Sequence, residues 1–340
     1  MKNYDSTPLE KTERISMLVR DLYAKMPEIE AARAELITES YKQTEGQPII
    51  MRRARAFEHI LKHIPIIIRP GELIVGSSTI APRGCQTYPE FSYEWLEAEF
   101  ETVEHRPADP FYISEDTKKR LKEANRYWKG KTTSELATSY MAVEALRAME
   151  HNMFTPGNYF YNGVGHITVQ YWKVLEKGFA GIRTEAEEEL NCCRFGDADF
   201  ATKTAFLRAV IITCNAVIDY SHRYAELAEE MALKESNAGR KKELLTIVEI
   251  CKKVPEHGAE GFQEACQAFW FVQQLLQLES SGHSISPGRF DQYMYPYYEK
   301  DIRTGKITKE YAQELLDCIW VKLNDLNKCR DAVSAEGFAG

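Results

Sequence analysis

The sequence predicts a helix-rich α/β fold, on three observations. Apolar residues recur at three- and four-residue spacing through most of the chain, with charges between them. Two short runs, 64–68 and 72–78, carry instead the β-branched and continuous apolar character of buried strands. At 340 residues the chain can bury a sizeable core.

The elements follow in order. Helical periodicity predicts helices over 10–26, 28–43 and 49–63, with Gly46 and Pro48 punctuating the second and third. Pro70-Gly71 turns the chain into the second strand candidate. From Ala81 to Gly130 the sequence is irregular and rich in aromatics and proline, as in long covering loops. A helix is expected over 134–149, and 169–175 suits either a short strand or a helix. One long helix spans 204–233, since Phe206, Val210, Cys214, Val217, Tyr220, Tyr224, Leu227 and Met231 fall on one stripe. Further helices are expected over 241–253, 261–278, 289–303 and 308–326. The last residues, Ala335 to Gly340, read as a chain still entering its next element.

Charge narrows the functional classes. Lys plus Arg number 43 against 51 Asp plus Glu, a net charge of -8, which argues against nucleic acid or an anionic membrane as partner. Arg52-Arg53-Ala54-Arg55 is the main basic run and reads as a solvated or salt-bridged helix face. No apolar run approaches the roughly 20 residues of a bilayer span, and the N-terminus lacks the apolar core of a secretory signal. The eight cysteines are scattered without CxxC spacing, which suits a reducing cytoplasm.

Two segments carry the chemistry. Gly282-His283-Ser284-Ile285-Ser286-Pro287-Gly288-Arg289-Phe290-Asp291 places a histidine and two hydroxyls on a turn between apolar helices. Gly157-Asn158-Tyr159-Phe160-Tyr161-Asn162-Gly163-Val164-Gly165-His166 repeats the character upstream, with glycines that permit close backbone approach. Short polar side chains on braced loops suit the orienting of a small polar ligand. Arg289 and Asp291 are expected to cap the following helix and to pair with each other. His59 and His63 sit one helical turn apart but lack an HExxH motif or an evident carboxylate partner, so a solvated face is expected there and no metal. His105, His151, His222 and His257 lie in charged surroundings and read as surface residues. No phosphate cradle, P-loop or nucleophile elbow is present.

Read together, several segments resemble the glycyl radical enzymes, and within them the B12-independent propane-1,2-diol and glycerol dehydratases. The matching text includes Ala34-Glu35-Leu36-Ile37-Thr38-Glu39-Ser40, Gly71-Glu72-Leu73-Ile74-Val75-Gly76-Ser77, Tyr127-Trp128-Lys129-Gly130, the segment ending at His166, Ser280 to Tyr298, and Trp320-Val321-Lys322-Leu323-Asn324-Asp325. The resemblance implies the N-terminal part of a ten-stranded α/β barrel of the glycyl radical type, with residues 1–340 inside one pyruvate formate-lyase-like domain. It implies a C–O lyase that eliminates water from a small diol to give an aldehyde. His166 matches the general acid that protonates the departing C2 hydroxyl. His283 and Ser284 match residues that hydrogen-bond the substrate hydroxyls, and Asn158 falls in the same pocket. The family's radical is a glycyl residue installed by an S-adenosylmethionine-dependent iron–sulfur activase, and its members are homodimers. A cytoplasmic enzyme is implied, with packaging in a bacterial microcompartment left open.

The family's Gly-Cys-Val-Glu and Arg-Val-Ala-Gly-Tyr motifs have no counterpart in these 340 residues. The chain is therefore expected to be an N-terminal portion that binds no cofactor, is inactive alone, and exposes sheet edges that favour self-association. The alternatives are a non-catalytic helical binding or assembly module, or a different glycyl radical eliminase. A histidine at position 166 argues against the choline trimethylamine-lyase branch, whose amine leaving group needs no proton.

Overall fold

The computed structural model describes residues 10–338, apart from 152, 155–162, 164 and 283. The first three expected helices form, the first two of them starting three or four residues later than the periodicity places them. α1 (Glu13–Leu22) begins under Thr12, whose hydroxyl accepts the Ile15 N–H at 3.3 Å. A two-residue strand β1 (Ile29–Glu30), α2 (Ala32–Gln43) and α3 (Ile49–His63) follow. β2 (Cys85–Gln86) pairs in parallel with β1.

Two expectations fail between α3 and residue 130. The runs 64–68 and 72–78 form no strand. Leu73, Ile74 and Val75 are buried as predicted, but helix side chains satisfy their backbone. The Gln267 amide bonds both to Val75 N and to Val75 O, at 2.8 and 2.7 Å. Trp270 Nε1 donates to Gly76 O at 2.9 Å, and Ser77 N donates to the Tyr224 hydroxyl at 3.1 Å. A buried extended segment needs hydrogen-bond partners, and these need not be another strand. The stretch 81–130 is also more regular than expected. It contains β2, α4 (Glu94–Glu99) and α5 (Glu115–Trp128). Ser114 caps α5, and its Leu121, Ala124 and Trp128 are buried.

The expected helix over 134–149 splits into α6 (Thr133–Ser139), opened by a Thr132–Glu135 capping box, and α7 (Val143–Glu150). α8 (Tyr171–Cys192) bends at Gly178 and resolves 169–175 as a helix start. α9 (Phe200–Lys234) is the predicted long helix. By length and composition it could cross a bilayer, contrary to the expectation that no apolar run approaches that length. Its Val217, Tyr220, Tyr224 and Ala228 instead pack into the protein core. α10 (Ala238–Lys253), α11 (Phe262–Ser280), α12 (Phe290–Arg303), α13 (Lys309–Asp325) and α14 (Ala332–Phe338) complete the described elements.

α11 organises the interior. Its Phe271, Leu275 and Leu278 join a cluster with α2, α3, α9 and α10. Its Phe262, Phe269 and Trp270 join a second cluster with α1, α8, α12 and α13. A helix buried on all sides has no solvent face for its polar residues, so Gln267, Gln273, Gln274 and Gln277 are buried with it.

The basic run on α3 is salt-bridged. Arg52 donates to Tyr41 O and to the Tyr127 hydroxyl, Arg53 pairs with Glu90 and Glu279, and Arg55 pairs with Glu58. The His59 and His63 rings lie 4.6 Å apart. A carboxylate does reach them: Glu39 from α2 stands 3.0 Å from His59 Nε2, a neighbour that spacing along one helix could not reveal. Among the described residues no group of three or more His, Cys, Asp or Glu could hold a metal ion.

Candidate functional site

The described residues at the ends of the two polar segments meet. Thr168 and Ser286 form an isolated parallel bridge, and Ser286 N donates to Ile167 O at 2.9 Å. The Ser281 hydroxyl donates to Gly163 O at 3.3 Å. Gly163 is buried, and a Cβ built on it would stand 2.2 Å from Ser280 O and 2.8 Å from Phe91 Cε2. Only glycine lets the loops approach this closely.

His166 and Ser284 lie two positions before the Thr168–Ser286 pair on their respective loops, and both are exposed. Their φ values are +46° and +60°, and Ser281 has +62°. Non-glycine residues reach this region at a cost, commonly about 1–3 kcal/mol each, and such residues gather at ligand sites. Asn158 and His283 lie outside the described residues. Arg289 and Asp291 form the predicted exposed ion pair, at 3.0 Å, and serve each other.

Sequence reasoning missed the residues that fix these loops. Gln273 of α11 accepts from the Tyr171 hydroxyl and donates to Ile285 O at 3.3 Å. The Tyr293 hydroxyl donates to Pro287 O at 2.8 Å. Burial pushes the Tyr171 and Tyr293 hydroxyls well above the usual phenol range, so both remain neutral donors. One signal could have found Gln273: glutamines recurring within an apolar helical stretch imply buried amides that need partners. A surface hollow of about 700 Å³, lined by charged residues of α2 and α5 such as Lys42 and Arg126, includes none of the described loop residues.

Replacing Gly163 by alanine is expected to cost about 1–3 kcal/mol through overpacking. Gly196→Ala, where a Cβ meets nothing within 4 Å, serves as the control. The check is the urea midpoint of each variant; equal midpoints would mean that the two loops are not in close contact.

The pyruvate formate-lyase-like family model matches residues 8–340. The chain belongs to that family, that is, to the glycyl radical enzymes. A solved structure described for 1,2-propanediol dehydration in Roseburia inulinivorans superposes with a TM-score of 0.97 at 74% identity, covering 99% of this chain and 40% of that one. The glycerol-bound B12-independent glycerol dehydratase from Clostridium butyricum superposes at 0.95 with 54% identity, covering 99% and 42%. An isethionate sulfite-lyase from Oleidesulfovibrio alaskensis is 38% identical over 91% of this chain and 38% of its own length. The chain thus spans about two-fifths of the length of these relatives. The helix-rich fold agrees with the N-terminal part of their barrel.

Proposed function

We propose that this chain forms part of the diol-binding wall of a glycyl radical dehydratase, a C–O lyase that eliminates water from propane-1,2-diol or glycerol to give an aldehyde. The observation that carries this reading is the 74% identity to the structure described for 1,2-propanediol dehydration. Identity to the isethionate sulfite-lyase is 38%. The higher similarity is spread over 99% of this chain.

The chemistry assigns each residue a task. His166 donates a proton to the hydroxyl leaving C2, because hydroxide is a poor leaving group. His283 and Ser284 hydrogen-bond the substrate hydroxyls, and Asn158 completes the same pocket. The glycyl radical of the complete protein supplies the hydrogen abstraction that starts the reaction. A radical-installing activase and a second copy of the protein are its partners. All eight cysteines are free thiols, which supports a reducing, cytoplasmic setting.

The test uses the complete protein, activated anaerobically and offered propane-1,2-diol, glycerol and isethionate. Aldehyde from a diol, without sulfite from isethionate, is the expected result. Sulfite release with no aldehyde from either diol would replace the reading with C–S cleavage. The 340-residue chain alone is expected to give no aldehyde, since it lacks the Gly-Cys-Val-Glu and Arg-Val-Ala-Gly-Tyr motifs.

A further inference from the structure

The C-terminal end of α11 leads directly into Ser281, Gly282 and Ser284. A helix end leaves carbonyls without partners inside the helix. Here side chains from distant elements take them. The Tyr88 hydroxyl donates to Gln277 O. Arg33 of α2 donates through Nε to Leu278 O at 2.6 Å and through Nη2 to Glu279 O at 3.0 Å. Arg53 of α3 donates to the same Glu279 O and, through Nε, to the Glu279 carboxylate at 2.7 Å.

Arg33 is fully buried, and its remaining donors are also used. Nη1 reaches Thr87 O at 3.2 Å and Glu90 Oε2 at 3.1 Å, and Nη2 reaches Glu90 Oε1 at 2.6 Å. Its guanidinium lies 3.9 Å from the centre of the Tyr88 ring. Every guanidinium N–H therefore has an acceptor, in a planar fork that lysine cannot reproduce with three donors. Burial alone would raise the Glu90 carboxyl, but Arg33 and then Arg53 hold it below the usual range.

The held carbonyls end one residue before Ser280, whose own carbonyl packs on Gly163. Ser281 then bonds to Gly163 O. Gly282, at φ +60°, has the Gln277 side chain where a Cβ would be, and that side chain accepts from Lys328 Nζ at 2.7 Å. One junction thus anchors the 281–288 loop and, three residues before His166, the other loop as well. We infer that Arg33, seconded by Arg53, is a positioning residue that sets the described parts of the two loops relative to each other and so orients a substrate that they bind.

The substrate clause rests on the proposed function; the loop-setting clause does not. A misplacement of about 1 Å can cost on the order of 10²-fold in rate. The test is Arg33→Lys, with two readouts. In the chain as described, hydrogen exchange of the Ser286 amide, which bonds to Ile167 O, should quicken at least about tenfold while α9 amides stay within about twofold. In the complete activated enzyme, kcat should fall by about 30-fold or more, with a smaller change in KM, when a diol is the substrate.

Unchanged Ser286 exchange, or equal quickening in α9, would overturn the inference and leave Arg33 a general structural residue. Should Arg33→Lys lose its fold, Arg53→Lys is the decisive variant, because its side chain is 27% exposed and the lesion milder. Ser286 must again respond ahead of α9. Selective Ser286 exchange in an enzyme that ignores diols would leave the positioning role standing and remove the diol reading. A diol-active enzyme with unchanged exchange would do the reverse.

Discussion

In the complete enzyme, His166→Ala is expected to lower kcat for propane-1,2-diol by about 10²–10⁴-fold, the usual contribution of a positioned proton donor. KM should move far less, because the acid acts on charge that develops only as the C2–O bond breaks. His166→Gln should behave like alanine, since an amide can hydrogen-bond the hydroxyl but cannot surrender a proton to it. The penalty should shrink for an analogue with chloride at C2, which departs without protonation. Turnover kinetics on the variant and on both substrates make the comparison. Unaltered turnover with the diol would remove the acid role from His166, and an equal penalty on the chloride would recast it as a binding residue.

The second large effect concerns stability. Lys322 of α13 is nearly fully buried against an equally buried Glu72, and its ammonium also donates to Gly76 O at 3.0 Å and to the Ser77 hydroxyl at 3.2 Å. Around it, Asp325 accepts from Arg69 at 2.9 Å and from Arg83 N at 2.7 Å. This network ties α13 to the extended 72–78 segment, which pairs with no strand among the described residues. Lys322→Met should destabilise by about 3–5 kcal/mol, because it leaves a buried carboxylate whose nearest remaining cation is less well placed. Arg69 stands 3.6 Å from that carboxylate. The double variant Lys322→Met with Glu72→Gln should recover much of the loss, as removing both charges also removes the desolvation cost. Urea denaturation of the two variants decides the matter. A single variant within about 1 kcal/mol of the parent would mean that the pair contributes little beyond packing.

Much of the helical framework could be read from the residues. The stripe from Phe206 to Met231 gave α9 nearly its full length, and Gly46-Pro48 set the start of α3. The stretch 115–128 was missed because its apolar positions, Leu121, Ala124 and Trp128, are sparse among charges. The 64–68 and 72–78 runs were misread for the opposite reason. Ile64, Ile68 and Leu73 to Val75 are buried, as in a strand, but the hydrogen bonds of the second run close on Gln267, Trp270 and Tyr224 from helices far along the chain, and Ile64 O is taken by Arg223.

The candidate site divides the same way. Glycines, histidines and hydroxyls marked two loops, and the family resemblance attached roles to His166, His283, Ser284 and Asn158. Nothing local showed that Ser286 would bond to Ile167, or that Arg33 would spend its donors on Thr87 O, Glu90 and the end of α11. Helix formation and burial periodicity depend on residues three or four apart, so the sequence by itself determined the helices, the apolar faces and the presence of two glycine-rich polar loops. Which loops meet, and which buried charges and amides hold them, depends on contacts whose partners lie as far as 246 residues apart. Only tertiary packing brings such groups within hydrogen-bond range and removes the water that would otherwise compete for them.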